Sequence, residues 1–319
     1  MANWATILAE INAEAQKHLG LARTAQDTVR RRYLRKLSAY TGRNVIAYYS
    51  GFLTKPNVAE TQVIDDDKNG FMMAVHQLDR TKGLDLFLHT PGGSIAVTES
   101  LVDYLRQMFA NDIRAIVPQI AMSAGTMIAC ACKEIVMGTH SNLGPVDPQI
   151  LGIPAAGVIE EFKRAWEEIK SDNSRIAVWQ FILGKYTPSY LGQCENAVAW
   201  AKNFVRKSLE DNMLHADPNR RALANNIVDY LTDFSGNKAH DRHMHVDECA
   251  NIGLTIKRLE KDYPPVFQDH VLSVHHAFMT TLSNTQTLKI IENQRGAAFV
   301  KQQALIPAGA MALQPMPQP

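Results

Sequence analysis

The sequence predicts an α/β fold, a parallel sheet built from βαβ units, with an N-terminal helical segment before it and a helical C-terminal part after it. Two observations carry this. Between residues 44 and 138, short apolar runs alternate with helical stretches at the spacing of βαβ units. The runs "LDLFL" and "AIV" are apolar throughout, as in strands covered on both faces.

Residues 4–40, "WATILAEINAEAQKHLGLARTAQDTVRRRYLRKLSAY", are rich in Ala, Leu, Glu, Gln and Arg, with apolar residues at three- and four-residue steps. This predicts one long amphipathic helix that precedes the core and seeks an apolar partner, for which a neighbouring subunit is the candidate. "NVIAYYSGFL" (44–53) reads as the first strand, 66–78 as a helix, and "LDLFLH" (84–89) as the second strand. A helix over 97–109, a strand over 113–120, a helix over 123–132 and a strand over 134–138 follow. From residue 155 the pattern is helical, including most of 269–302, and the tail "ALIPAGAMALQPMPQP" is Pro- and Ala-rich and reads as disordered. The segments expected are therefore 1–43 helical, 44–260 the α/β domain, 261–303 a helical extension and 304–319 a tail.

Thirty-three basic residues balance 32 acidic ones in 319, and no dense basic stripe interrupts that balance. This argues against a nucleic-acid binder. The start lacks an early basic region and carries Glu10 and Glu14, unlike a signal peptide, and no stretch approaches the roughly 18 apolar residues of a membrane span. Four cysteines without CxxC spacing suit buried free thiols and a cytoplasmic location.

Two turns carry the candidate chemistry. "HTPGGS" (89–94) ends the second strand, and its adjacent glycines let main-chain N–H groups approach a bound group closely. Ser123, in "AMSAGT", stands 31 residues after Gly92 at the next strand-to-helix corner. Ligand sites of parallel sheets form beyond the carboxyl ends of the strands, so neighbouring strands would set the two turns side by side. A serine at such a corner projects its hydroxyl into a cleft, and the glycine amides offer an oxyanion hole. The plain alternatives are a helix N-cap at Ser123 and a simple tight loop at the glycines.

"HTPGGS" followed by "AMSAGTMIACACKEIVMGTHSNLGPVDPQ" resembles the Clp protease and signal-peptide-peptidase group, and within it the serine dehydrogenase proteinases, with a ClpP/crotonase-like fold, a spiral of βαβ units. The resemblance is strong over 44–150 and weaker to about Leu259. It implies a serine peptidase: Ser123 as nucleophile, with amides of Gly92, Gly93, Ser94 and Ala124 as the oxyanion hole. It also implies a homo-oligomer, a peptide substrate and no cofactor.

The base is less plain. Clp-type relatives use a His where this chain has Asp147. His140, 17 residues after Ser123, reads as a structural or loop histidine. Signal-peptide-peptidase relatives use a lysine, and Lys185 in "LGKYTPSYLG" lies in an aromatic setting like theirs, with Leu183, Tyr186, Pro188 and Tyr190 to exclude water. The expected machinery is thus a Ser123–Lys185 dyad. "HDRHMH" (240–245) reads as an exposed loop, since six consecutive residues lack an evident fourth zinc ligand. The rival functions are a crotonase-type acyl-CoA enzyme, an α/β-hydrolase, and an oligomeric scaffold that has lost its base.

Overall fold

A computed structural model describes residues 3–17, 22–233, 236 and 239–303; the tail read as disordered, 304–319, lies outside them. The main sheet has seven strands: β1 (Asn44–Ser50), β2 (Leu84–His89), β3 (Ile113–Val117), β5 (Glu134–Met137), β10 (Ile256–Arg258), β11 (Thr287–Asn293) and β12 (Ala298–Gln302). They run in the order β10-β5-β3-β2-β1-β11-β12, parallel from β10 to β1 and antiparallel across β1–β11 and β11–β12. Every residue of β1 and β2 is buried, as their apolar content requires.

Alternation along β1 sends Ile46 and Tyr48 to one face and Val45, Ala47 and Tyr49 to the other. The first face is covered by α3 (Asp66–Val75), α4 (Ile95–Phe109), α5 (Ala124–Cys130), α8 (Tyr190–Ser208), α9 (Arg220–Thr232) and α10 (Val246–Asn251). The second is covered by α1 (Trp4–Lys17), α2 (Ala22–Thr41) and α11 (Pro265–Asn284). The intervening α6 (Ala155–Ser171) packs with Tyr186 and the first half of α8 around a small satellite cluster, and α7 (Ile176–Leu183) joins α6 to that segment. Cys130, Cys132, Cys194 and Cys249 are free and buried.

Two expectations are corrected. The N-terminal stretch is two helices rather than one, and their apolar residues, Ile7, Val29, Leu34 and Leu37 among them, are fully buried against α11 of the same chain. Their partner is intramolecular. The stretch 269–302 is not mostly helical: it breaks after Asn284, and "TLKIIEN" pairs with β1 as β11 before a turn at Gly296 leads into β12.

A second, three-stranded sheet sits beyond the carboxyl ends of the first. Its members are β4 (Ile120–Ala121), β6 (Asn142–Leu143) and β9 (Met244–His245), with β4 parallel to β6 and β6 antiparallel to β9. A separate hairpin, β7 (Gln149–Ile150) with β8 (Ile153–Pro154), follows β6.

Candidate active site

β2 and β3 are neighbours, and the pairing continues past their ends: the Thr90 amide donates to the Ile120 carbonyl and the Met122 amide to that of Thr90, at 3.3 and 3.0 Å. The glycine turn and the Ser123 corner therefore lie side by side. A Cβ on Gly92 would come within 2.7 Å of Ser123 Cβ, and Gly92 takes a φ of +99°, so glycine is required there twice over.

Ser123 has φ +50° and ψ −110°, a sparsely populated backbone conformation for a residue with a side chain. It precedes α5, yet its hydroxyl makes no capping hydrogen bond, and it finds no partner among the described residues. Helix capping does not explain it. A strained strand-to-helix corner that leaves the hydroxyl free is the geometry of an exposed nucleophile.

The four amides expected to bind an oxyanion are not equivalent. That of Gly92 donates to Thr90 Oγ1 at 3.2 Å, and that of Ser94 to the Val63 carbonyl at 3.0 Å. Ser94 Oγ caps α4 by accepting from the Val97 amide. The Gly93 and Ala124 amides have no partner among the described residues. Gly93 itself lies so close to Val63 that a Cβ would fall on the Val63 backbone.

Ser123 and the glycine turn line a cleft of about 590 Å³ that also receives Met127, Asp147, Trp200 of α8 and His240. Asp147 Oδ1 is hydrogen-bonded to His240 Nδ1; the aspartate is buried and the histidine about a quarter exposed. The short second sheet assembles the three residues. β4 leads into Ser123, β6 leads into the loop carrying Asp147, and the segment carrying His240 leads into β9. Thr126 Oγ1 donates toward Ala121 and Gly144 carbonyls and accepts from the Gly144 amide, which ties the start of α5 to the Asp147 loop. The Val146 amide donates to Leu231 at the end of α9, fixing the same loop from the other side.

Lys185 is not brought there. It is exposed, its amine stands 4.8 Å from the centre of the Phe181 ring, and it is not among the residues lining the cleft. Tyr186 and Tyr190, expected to bury the amine, pack on Phe162 and on one another instead, with the Tyr186 hydroxyl on Glu161. His140 is exposed and lies 3.8 Å from Glu260. The reading of "HDRHMH" as an exposed loop fails at His240, which was missed because its partner is 93 residues upstream. The available signal was Asp147 itself, an acid standing where relatives place a base, with a histidine cluster left unassigned.

His89, which opens the glycine motif, is fully buried. Its Nδ1 lies 3.0 Å from the Ser50 carbonyl and its Nε2 is bonded to the Gln119 side chain at 3.2 Å. Burial pushes its pKa down to about 4, against the raising effect of those bonds, so the ring is a neutral strut behind the turn.

A corner serine, a free pair of amides and a carboxylate–imidazole pair thus meet on one cleft of the α/β fold, a set of groups with the chemistry that acyl transfer needs. The family model of ClpP-like SDH-type serine proteinases matches residues 19–264, and the chain belongs to that family. Two uncharacterized proteins of Methanocaldococcus jannaschii are each 28% identical to it over 191 residues, 60% of this chain. The matched region spans 58% and 59% of those relatives. Among the described residues no helix is long and apolar enough to cross a membrane.

Proposed function

We propose that the protein is a serine peptidase in which Ser123 is the nucleophile, His240 the general base and Asp147 the residue that orients it. The observation that carries this is the free hydroxyl of Ser123 in a strained corner, on the same cleft as the hydrogen-bonded Asp147–His240 pair. Because Asp147 takes Nδ1, the Nε2 of His240 is left to accept the serine proton. Ser123 Oγ attacks the peptide carbonyl, and the resulting oxyanion is held by the Gly93 and Ala124 amides. Collapse of the adduct releases the amine with the proton from His240, and a water deprotonated by His240 then frees the acyl group. The chemistry uses no cofactor. A closed homo-oligomer and a cytoplasmic setting belong to this reading, and sedimentation of the full chain checks the first.

The test is a fluorophosphonate probe on purified protein, with the labelled residue mapped by mass spectrometry. Labelling at Ser123, lost in Ser123→Ala together with peptide cleavage, is the expected result. Turnover retained in Ser123→Ala would refute the mechanism. An inert wild-type chain would favour the scaffold.

A further inference from the structure

Behind the glycine turn lies a fully buried cluster, Tyr48 of β1, Asp67 of α3 and Lys289 of β11. Lys289 Nζ meets the two Asp67 oxygens at 2.7 and 2.9 Å and donates to the Gln62 carbonyl at 2.5 Å. Asp67 Oδ2 also accepts from the Tyr48 hydroxyl at 2.8 Å and from the Ile64 amide at 3.1 Å. The cluster thus grips the chain on both sides of Val63. Val63 in turn grips both sides of Gly93: its amide donates to the Gly92 carbonyl at 2.7 Å, and its carbonyl accepts from the Ser94 amide at 3.0 Å. The amide left over between those two bonds is that of Gly93.

Replacing a buried ion pair with apolar side chains of similar size is often neutral for stability, so stability alone is a weak reason to keep one here. Direction is a stronger one. A carboxylate that bridges an amine, a phenol and a main-chain amide fixes the intervening backbone from three elements at once.

We propose that the Asp67–Lys289 pair, with Tyr48, is the positioning device of the oxyanion hole, holding residues 62–64 so that the Gly93 amide keeps its place beside Ser123. The inference rests on the serine-peptidase reading above. These are positioning residues, since none of them lines the cleft.

The test is the full-length variant Tyr48→Phe/Asp67→Leu/Lys289→Met, which removes the three polar groups together and leaves no orphaned charge. The expected result is a folded protein with KM within about twofold of wild type and kcat lower by about 30- to 100-fold, as when an oxyanion donor is displaced. Affinity for a peptide aldehyde, which forms a tetrahedral adduct at the nucleophile, should fall by the same factor as kcat/KM. Asp85→Asn is the comparator. It weakens the pairing of the buried Asp85 with the half-buried Arg43 and Arg114 at the opposite end of β2, and should lose stability while keeping kcat. A folded triple variant with kcat and aldehyde affinity within threefold of wild type overturns the proposal. Should the triple variant not fold, Asp67→Asn carries the same readouts and the same criterion. A wild-type chain that neither labels nor cleaves overturns both readings, and it does so before any variant of the cluster is made.

Discussion

Ser123 holds a backbone conformation that side-chain-bearing residues adopt at a cost of about 1–3 kcal/mol, and its hydroxyl makes no hydrogen bond that would repay that cost. Removing the side chain should therefore stabilise the fold. Ser123→Gly is expected to gain about 1 kcal/mol in chemical denaturation and lose all probe labelling, whereas Ser123→Ala keeps the strain and the wild-type melting temperature. Equal stability of the glycine and alanine variants would show that the corner is relaxed. Gly92→Ala places a methyl against Ser123 Cβ at a positive φ, and acylation should slow at least tenfold. The two candidate bases separate as sharply. His240→Gln should lower kcat by about 100-fold or more, and Lys185→Met should leave it within twofold. The opposite result in steady-state kinetics would restore the Ser–Lys dyad, with the lysine reaching across a subunit boundary.

At the scale of elements, α1 and α2 are part of the second face of the core. Arg30 of α2 donates to Glu292 of β11 at 2.9 Å and to Thr281 of α11 at 3.0 Å, all three buried, and Ile7, Val29, Leu34 and Leu37 are sealed beside them. Each such apolar side chain contributes about 1.5–3 kcal/mol when buried, so losing four approaches the whole stability of a typical domain. Deleting residues 1–41 should give insoluble or molten protein, read from soluble yield and near-ultraviolet circular dichroism. A truncated chain that stays folded and only changes its sedimentation would return these helices to an assembly role. The elements legible in the sequence were those whose evidence is local: β1, β2, β3 and β5 as apolar runs, and α4 and α5 as the helices between them. β11 and β12 were not legible because Leu288 and Ile291 also satisfy a helical spacing, and the strand's partner β1 lies some 240 residues upstream. The site divides in the same way. The glycine turn and Ser123 are one βα unit apart and could be read together; the Asp147–His240 bond is made by a short sheet whose strands are too brief to leave a periodic signal.

Across the whole molecule, helices cover both faces of the main sheet, and this seals imidazoles that water would otherwise reach. His89 stacks on Tyr49 at 5.4 Å, and His275 of α11 accepts or donates through Nδ1 to the Tyr49 hydroxyl at 3.2 Å. Burial lowers the pKa of His89 to about 4 and that of His275 well below its ordinary value, with the neighbouring histidines adding to the second shift. A histidine depressed in the folded state binds its proton more readily when unfolded. Its stabilisation is therefore complete above the unfolded value of about 6.5 and drains away as pH falls toward the folded one. For His89 the window is pH 6.5 to about 4 and the loss roughly 3 kcal/mol; His275 acts with the same sign. Urea denaturation of the wild-type chain should thus show stability falling across that window, before most carboxylates titrate. His89→Gln retains an amide donor for the Ser50 carbonyl and removes one titrating ring, so its stability should fall less steeply by about one proton per molecule between pH 6.5 and 4.5. Parallel curves for the two proteins would mean that His89 is already protonated, or equally titratable, inside the fold. The ring behind the glycine turn would then carry charge, and the sheet interior would not be neutral at that position.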